Sequence, residues 1–251
     1  SGPYAFTTRT NELRTVNSTD TMDTLGSAIA VDHRNSEIMR ILPRLNEEIN
    51  EEWLADKSRF GYDGLKRQRL TIPLSRGVNG EYSEMRWEEA IPIIAKRLSN
   101  TPGDEIAAII GDQADIESLV ALKDLLNRLD CDNFEIRSNS QMRVSADLRA
   151  NYLLNPSIEG IEESDLMLIV GSNPKIEAPL LNSRIFRAVR DKGLKVFLLG
   201  TPNELTYKYI HLGSSPSILN AIANGSHPLM KDLQTAINPS ILVSSAVLER
   251  I

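Results

Sequence analysis

The chain has 251 residues, a formal net charge of −6 and one cysteine, Cys131. A single cysteine excludes an intrachain disulfide and leaves no Cys/His set for zinc or for an iron-sulfur cluster in its usual ligation. Basic and acidic residues are interspersed, which argues against nucleic-acid binding, and no apolar run reaches the roughly 18 residues of a membrane span. These properties predict a globular protein in reducing surroundings, with one large domain or two smaller ones.

Residues 1–75 have the pattern of a small, strand-rich domain. Segments 27–33 and 37–41 are predicted as a β-hairpin around Arg34-Asn35-Ser36. Asn46 precedes a group of acidic residues that favours a helix start and is interpreted as a solvated face rather than a catalytic carboxylate pair. This group comprises Glu47, Glu48, Glu51 and Glu52. Pro73 and the turn at residues 77–80 place the domain boundary near residue 75.

Residues 76–251 alternate between helix and strand patterns, which predicts an α/β domain with a doubly wound, Rossmann-like parallel sheet. The predicted helices are 87–98, 116–129, 217–223 and 229–237. The predicted strands are 105–110, 134–137, 166–170, 195–199 and 240–243. The pattern stops where a further helix is expected, so we expect this domain to be truncated at its C-terminal end.

The strongest local signal is the strand-turn-helix-strand unit at residues 165–200. Its loop, Gly171-Ser172-Asn173-Pro174, follows a buried strand, at the end where parallel sheets place ligand loops. Glycine permits close backbone approach, and the start of a helix favours an anion. The dinucleotide fingerprint G-x-G-x-x-G is absent, however, and the same residue types form ordinary strand-to-helix turns. The loop alone leaves a ligand site and a structural turn both open.

The other candidate residues give weaker signals. The three histidines are far apart and lack metal-ligand spacing, and no G-x-S-x-G nucleophile motif is present. Cys131 lies between two acidic residues, which disfavour the thiolate that a nucleophile needs. A basic group, Lys66, Arg67 and Arg69, is suited to phosphate and equally to contact with a neighbouring polypeptide. We therefore predict no catalytic residues in this chain.

Longer stretches resemble a known family. The pattern of residues 165–174, followed by Asn182-Ser183-Arg184-Ile185, resembles the molybdopterin oxidoreductase superfamily, in whose enzymes this loop lies beside a guanine dinucleotide cofactor. Within it, several segments resemble the family of large iron-sulfur subunits of respiratory complex I, NADH:ubiquinone oxidoreductase. These segments are 37–44, 48–53, 56–60, 62–70, 121–128, 147–155 and 211–213. The resemblance extends over essentially the whole chain.

The resemblance also implies where cofactors would bind. In molybdenum enzymes of this superfamily, four cysteines of the first small domain hold a [4Fe-4S] cluster. The corresponding positions here are Ser18, Thr21, Leu25 and Ala55. We therefore expect lost cluster positions, no metal site and no cofactor in this chain, with the family's clusters in an N-terminal ferredoxin-like region that is absent here. The segment that would offer a molybdenum ligand has no cysteine, which leaves Ser138 or Ser140 as candidates.

The function implied by the resemblance is that of a non-redox structural segment in the peripheral, NADH-oxidising arm of proton-pumping NADH:ubiquinone oxidoreductase. Gly171, Ser172, Asn173 and Pro174 would then form a vestigial loop. The alternative is a fragment of a molybdopterin-dependent oxidoreductase that still binds a guanine dinucleotide there. A third hypothesis, an assembly factor derived from this subunit, shares the same sequence features.

Expected partners are other peripheral-arm subunits, including the cluster-bearing part of the same subunit, with no nucleic acid and with membrane association only through the complex. The implied location is the matrix side of the mitochondrial inner membrane, or the cytoplasmic face of an alphaproteobacterial membrane.

Overall fold

A computed structural model describes residues 4–111, 113–135, 147–151, 153–244 and 247. The chain divides into two compact units, one made of residues 1–64 and 142–251 and the other of residues 65–141. Both units contain helices and strands, so the predicted α/β class is confirmed at that level. Within the described ranges, every helix is too short or too polar to cross a bilayer.

The first unit begins with a three-stranded antiparallel sheet and a short helix. Its strands are β1 (Arg14–Thr19), β2 (Ala28–Arg34) and β3 (Glu37–Pro43), in the order β1-β2-β3. The predicted hairpin of β2 and β3 is present, with Asn35 at a φ of 55° in its turn. β1 was not predicted, because its six side chains are all exposed and show no apolar alternation. Helix α1 (Asp56–Phe60) follows β3.

Asn46 begins a turn at residues 47–50, but the expected helix start is not formed there. Asn46 and Glu51 instead close a tight turn through two backbone hydrogen bonds of 2.7 and 3.0 Å, with Glu51 at a φ of 51°. The buried side chain of Asn50 explains this conformation. Its Nδ2 donates to the backbone oxygens of Arg44 and Trp53, while its Oδ1 accepts from the N–H of Ala28. A buried amide must be hydrogen-bonded, and this requirement outweighs the weak preference of glutamates for a helix start.

Over its described residues, the second unit contains four short strands and two α-helices. In chain order these elements are β4 (Leu74–Arg76), β5 (Tyr82–Glu84), α2 (Trp87–Ser99), β6 (Ala108–Ile109), α3 (Ile116–Arg128) and β7 (Phe134–Glu135). β4 and β5 form an antiparallel pair around the predicted turn at residues 77–80, and β6 pairs with β7 in parallel. β6 is shorter than predicted, because residues 103–105 form a 3₁₀ turn. The end of the strand predicted over 134–137 lies outside the described residues.

A four-stranded parallel sheet is the centre of the first unit. Its strands are β8 (Leu166–Val170), β9 (Lys195–Leu199), β10 (Ile210–Gly213) and β11 (Pro239–Val243), in the order β10-β9-β8-β11. All three pairings are parallel. β8 and β9 match the prediction, and β11 begins one residue earlier than predicted. β10 was missed, because four residues with two exposed side chains give little strand signal.

Helices cover both faces of this sheet. They are α4 (Pro174–Glu177), α5 (Pro179–Lys192), α6 (Ser217–Ala223) and α7 (Leu229–Thr235). Met167 and Ile169 of β8 pack with Ile185 of α5, whereas Leu168 of β8 packs with Leu229 of α7. This division follows from the alternation of side chains along a strand, and it explains why β8 is a continuous apolar run. α6 has its predicted bounds, and α7 ends two residues earlier than predicted.

Candidate functional site

The loop after β8 is packed against other parts of the same unit. Gly171 has a φ of 62° and donates its N–H to the oxygen of Leu199 at 2.8 Å. A Cβ atom at Gly171 would lie 2.2 Å from Cγ2 of Val247, and one at Gly200 would lie 3.3 Å from the Cα of Gly171. A side chain at Gly171 would therefore collide with Val247, and one at Gly200 would make a tight contact with the backbone of Gly171. Internal packing is sufficient to account for both glycines.

Glu177 occupies the hydrogen-bond donors of this loop. The Oγ of Ser172 donates to Oε2 of Glu177 at 2.8 Å, and the N–H of Asn173 donates to Oε1 at 2.9 Å. Pro174 is the first residue of α4 and has no N–H to offer. The Oδ1 of Asn173 is buried and lacks a hydrogen-bond partner among the described residues. Two donors that could bind a phosphate, the Oγ of Ser172 and the N–H of Asn173, thus already bind a carboxylate.

A cavity of about 430 Å³ opens beside this loop, at the carboxyl ends of β8 and β9. Apolar side chains, including Leu199, Leu219 and Val247, form part of its wall, and Asn173 and Glu177 lie among its polar residues. Among the described residues that line it, Glu177 is the one with a formal charge. The cavity therefore combines an apolar wall with hydrogen-bond acceptors and a negative charge.

The four positions predicted to be lost cluster ligands lie around one end of the antiparallel sheet. Ser18 is exposed on β1 opposite Ile29, and Thr21 is exposed in the loop that follows. Leu25 packs against the core of the parallel sheet, and Ala55 is buried just before α1. Two aspartates next to these positions, Asp20 and Asp23, make the recorded side-chain contacts between the loop at residues 20–27 and the start of α1.

Two of these aspartates are buried. The carboxylate of Asp20 accepts hydrogen bonds from the N–H of Met22 at 2.9 Å and from the Oγ of Ser58. The side chain of Asp23 is 0% exposed, and its Oδ1 lies 3.9 Å from Nζ of Lys57. Burial raises the pKa of Asp23, and the charge of Lys57 opposes that rise. Sequence reasoning missed this pair, because a T-D-T-M-D segment also fits an exposed turn.

Lys57 extends the link to the loop beside the cavity. Its Nζ donates to the backbone oxygen of Glu177 at 3.0 Å, while one third of its side chain remains exposed. Lys57 therefore connects the loop at residues 20–27 with α4. Asp23 has no well-formed hydrogen bond among the described residues, so the ammonium of Lys57 is its recorded charge partner.

A second set of charges joins the turn at residues 46–51 to α5. Nη1 of Arg184 lies 2.8 Å from a carboxylate oxygen of Glu162, and its Nη2 donates to the backbone oxygens of Glu47 and Ile49. Arg187 pairs with Glu51 and Glu162, both at 2.6 Å. Arg187 donates hydrogen bonds to Glu51, and this interaction lowers the pKa of Glu51 and raises the pKa of Arg187. Glu51, predicted to be part of a solvated face, therefore takes part in internal contacts.

The remaining candidates are dispersed. Cys131 is buried and donates to the oxygen of Ile106 at 3.1 Å, and the basic segment from Lys66 to Arg69 is exposed. The three histidines contact backbone groups of three different loops. Over the part of the chain that the structure describes, no three His, Cys, Asp or Glu side chains are grouped as metal ligands. Ser138 and Ser140 lie outside the described residues.

Comparison with known families assigns the chain. Residues 69–250, more than half of the sequence, match the family described as molybdopterin oxidoreductase. The chain belongs to the molybdopterin oxidoreductase family. Residues 13–63 match a second family, described as the NDSU1/NuoG-like 4Fe-4S domain of NADH-ubiquinone oxidoreductase.

The relatives of this chain are named as subunits of NADH dehydrogenases or NADH oxidoreductases. The chain is 43% identical over 250 residues to NADH dehydrogenase (ubiquinone) iron-sulfur protein 1, mitochondrial, of Solanum tuberosum, covering 100% of this chain and 34% of the relative. It is 45% identical to the NADH-ubiquinone oxidoreductase 78 kDa subunit of Neurospora crassa, over 98% of this chain and 34% of the relative. It is 43% identical to an NADH-quinone oxidoreductase subunit of Rickettsia felis, over 100% of this chain and 37% of the relative. The resemblance predicted from the sequence is confirmed. The chain spans about a third of the length of these relatives.

One expectation about cofactors is wrong. The family's cluster region was expected to precede this chain and to be absent from it, but the segment that matches the 4Fe-4S domain lies within it, at residues 13–63. The sequence of this segment contains no cysteine, and its buried polar groups are aspartates and serines, together with Asn50. The usual four-thiolate ligation of a cluster does not fit these residues.

The guanine dinucleotide that the resemblance implies meets a similar difficulty. A guanine dinucleotide carries an anionic pyrophosphate, which requires free N–H donors or cations. The loop donors already serve Glu177, and the described lining of the cavity adds a negative charge. A pyrophosphate would therefore compete with Glu177 for the Oγ of Ser172 and the N–H of Asn173.

Proposed function

We propose that this chain is a structural segment of the peripheral arm of a proton-pumping NADH:ubiquinone oxidoreductase, where it supports the subunit that carries electrons from NADH to quinone. The observation that carries this proposal is the identity of 43–45%, over nearly the whole chain, to subunits named for that reaction. The fold class does not carry it, because one fold hosts many functions.

The contacts within the first unit are suited to a supporting role. Arg184 is 5% exposed and makes two ion pairs, with Glu51 and Glu162, and two backbone hydrogen bonds, which tie the turn at residues 46–51 to α5. Charge-assisted hydrogen bonds of this kind fix geometry, since guanidinium donors have fixed directions. A segment held this way presents neighbouring subunits with a rigid surface.

The loop Gly171-Ser172-Asn173-Pro174 is, in this proposal, a structural turn, and Ser18, Thr21, Leu25 and Ala55 are former cluster-ligand positions. Support for the turn comes from Glu177, which binds the loop donors, and from Val247, which packs on Gly171. Support for the former positions comes from Asp20 and Asp23, which lie among them and bind α1. No catalytic role is assigned to either group.

The proposed domain organisation follows the two family matches. Residues 1–75 form a small strand-rich domain, and residues 76–251 form a Rossmann-like domain of the molybdopterin oxidoreductase type. Matches at 13–63 and 69–250 support the division. The parallel order β10-β9-β8-β11 supports the Rossmann-like assignment, since it corresponds to strands 3-2-1-4 of that fold.

The proposed partners are other peripheral-arm subunits, including the cluster-bearing part of the same subunit. Membrane association would then be indirect, through the complex. The proposed location is the matrix side of the mitochondrial inner membrane, or the cytoplasmic face of a bacterial membrane, by analogy with the potato, fungal and rickettsial relatives.

Co-purification tests this proposal. The chain, tagged and expressed in the cells that encode it, is expected to be recovered from detergent extracts together with peripheral-arm subunits. Arg184→Ala, which releases the turn at residues 46–51, is expected to reduce that recovery, whereas Arg190→Ala, an exposed change on the same helix, leaves it unchanged. Recovery of the wild-type chain without any subunit of the complex would refute the assignment.

A further inference from the structure

The cavity beside the Gly171–Pro174 loop has the chemistry of a cation site rather than of an anion site. Its described lining contains one formal charge, the carboxylate of Glu177. Two lysines lie near this loop, and both bind backbone oxygens instead of the carboxylate. Nζ of Lys57 donates to the backbone oxygen of Glu177 at 3.0 Å. Nζ of Lys175 donates to the backbone oxygen of Glu204 at 3.2 Å. The charge of Glu177 therefore lacks a recorded cationic partner among the described residues.

The hydrogen-bond acceptors of the cavity are only partly used. Each carboxylate oxygen of Glu177 accepts one hydrogen bond from the loop, and each has capacity for another. The Oδ1 of Asn173, which also belongs to the lining, is buried without a partner. A buried acceptor without a donor is unfavourable, and a ligand that carries N–H groups would satisfy it.

The apolar wall restricts the shape of such a ligand. Leu199, Leu219 and Val247 line the same cavity as the two acceptors. Arginine and lysine bury their methylene stems on apolar surfaces and keep the charged head on polar groups. A guanidinium is planar, offers five N–H donors and is less strongly hydrated than an ammonium, so it loses less on burial.

We infer that this cavity binds a guanidinium head on an aliphatic stem, with Glu177 and Asn173 as acceptors and the apolar wall around the stem. The source is either an arginine side chain of another polypeptide or a small alkylguanidine, because both carry the same chemistry. The inference goes beyond the structural role proposed above and does not require the complex to form.

Calorimetric titration of the full chain provides the test. The probe is N-acetylarginine amide, and its matched control is N-acetylcitrulline amide, in which a neutral urea replaces the guanidinium. We expect the arginine probe to bind roughly tenfold more tightly, as a single hydrogen bond to a charged group would give. Glu177→Gln is expected to abolish this preference, because its amide oxygen can still accept from Asn173 but carries no charge.

Glu204→Gln is the matched control variant, since it removes a carboxylate from a neighbouring loop residue that is not among the described lining. It is expected to retain the preference for arginine. Equal binding of the two probes, or equal losses in both variants, would overturn the inference. Binding of guanosine diphosphate in place of the arginine probe would overturn it as well.

Butylguanidinium distinguishes the two sources of the ligand. It has the head and stem without peptide atoms, so affinity equal to that of the arginine probe supports a small alkylguanidine. Weaker binding of butylguanidinium supports an arginine side chain as the natural ligand. Either result is possible only if the cavity binds the guanidinium head. Thermal unfolding followed by circular dichroism verifies that each variant is folded.

Discussion

The loops at residues 20–27 and 171–174 lie in the two segments whose family descriptions name a cofactor, and they are stabilised in different ways. The first contains a fully buried carboxylate, Asp23, which faces Lys57. The second is closed by Glu177, an exposed residue that accepts two hydrogen bonds. Removing the partner of a buried charge leaves its desolvation uncompensated, whereas water can replace a surface contact. The first loop should therefore respond more strongly to loss of a charge partner.

Lys57→Met is the largest expected effect and tests this difference directly. It should lower the free energy of unfolding by about 3 kcal/mol, because an uncompensated carboxylate remains in the interior. Urea unfolding at neutral pH measures the change.

Two variants control for other causes. Adding Asp23→Asn to Lys57→Met should recover most of the loss, since the buried charge is then absent. Lys192→Met breaks an exposed pair with Glu163 and should change stability by about 1 kcal/mol or less. If the Lys57 and Lys192 variants behave alike, the buried pair does not stabilise the loop.

Gly171→Ala tests the packing of the second loop, with an expected loss of about 2 kcal/mol. One part arises from a φ of 62°, which side chains disfavour, and the other from contact with Val247. Gly193→Ala provides the matched control, because Gly193 has a similar φ of 72° and open space around its Cβ position. Chemical denaturation of both variants separates the two contributions. Equal losses would mean that Val247 does not restrict the loop.

The dependence of stability on pH gives the smallest expected effect. Burial raises the pKa of Asp23 above its ordinary value of 3.8, so the folded protein holds this proton more tightly than the unfolded chain does. The contribution of Asp23 to stability is therefore present below pH 3.8 and is lost as the pH rises through the raised pKa. As the pH rises from 3.8 through the raised pKa of Asp23, the free energy of unfolding of the wild-type protein should fall relative to that of the Asp23→Asn variant. Urea unfolding at a series of pH values measures both.

Asp165→Asn should show the opposite sign. Backbone hydrogen bonds, first from Ile237 and then from Asn238, lower the pKa of Asp165, so its contribution is present above the ordinary pKa and is lost as the pH falls. Parallel pH profiles for the two variants would contradict the assignment of Asp23 as the destabilised carboxyl group.

The sequence predicted those parts of the fold whose signals are local. β8 and β9 are continuous apolar runs, and α6 has helical spacing, so all three elements have their predicted bounds. The loop at Gly171 was also located, because it follows a strand of strong signal. β1 and β10 were missed, since their residues gain strand structure from neighbouring strands rather than from their own pattern.

The charged contacts could not be predicted in the same way. Lys57 and Glu177 are 120 residues apart, and Arg184 and Glu47 are 137 residues apart. Periodicity reports which face of an element is buried, but it does not identify a partner at such distances. The burial of Asp23 likewise depends on the tertiary fold, so it was not predicted from the sequence.

The contacts of Arg184 and Arg187 also determine when the turn at residues 46–51 can reach its final contacts during synthesis. The chain leaves the ribosome from its N-terminus, so residues 1–64 emerge before either arginine exists. At about 5–20 residues per second, the 120 residues from position 64 to position 184 take roughly 6 to 24 seconds to add. For that interval the turn at residues 46–51 lacks the groups that bind Glu47, Ile49 and Glu51. The turn therefore reaches its final contacts only after α5 has been synthesised.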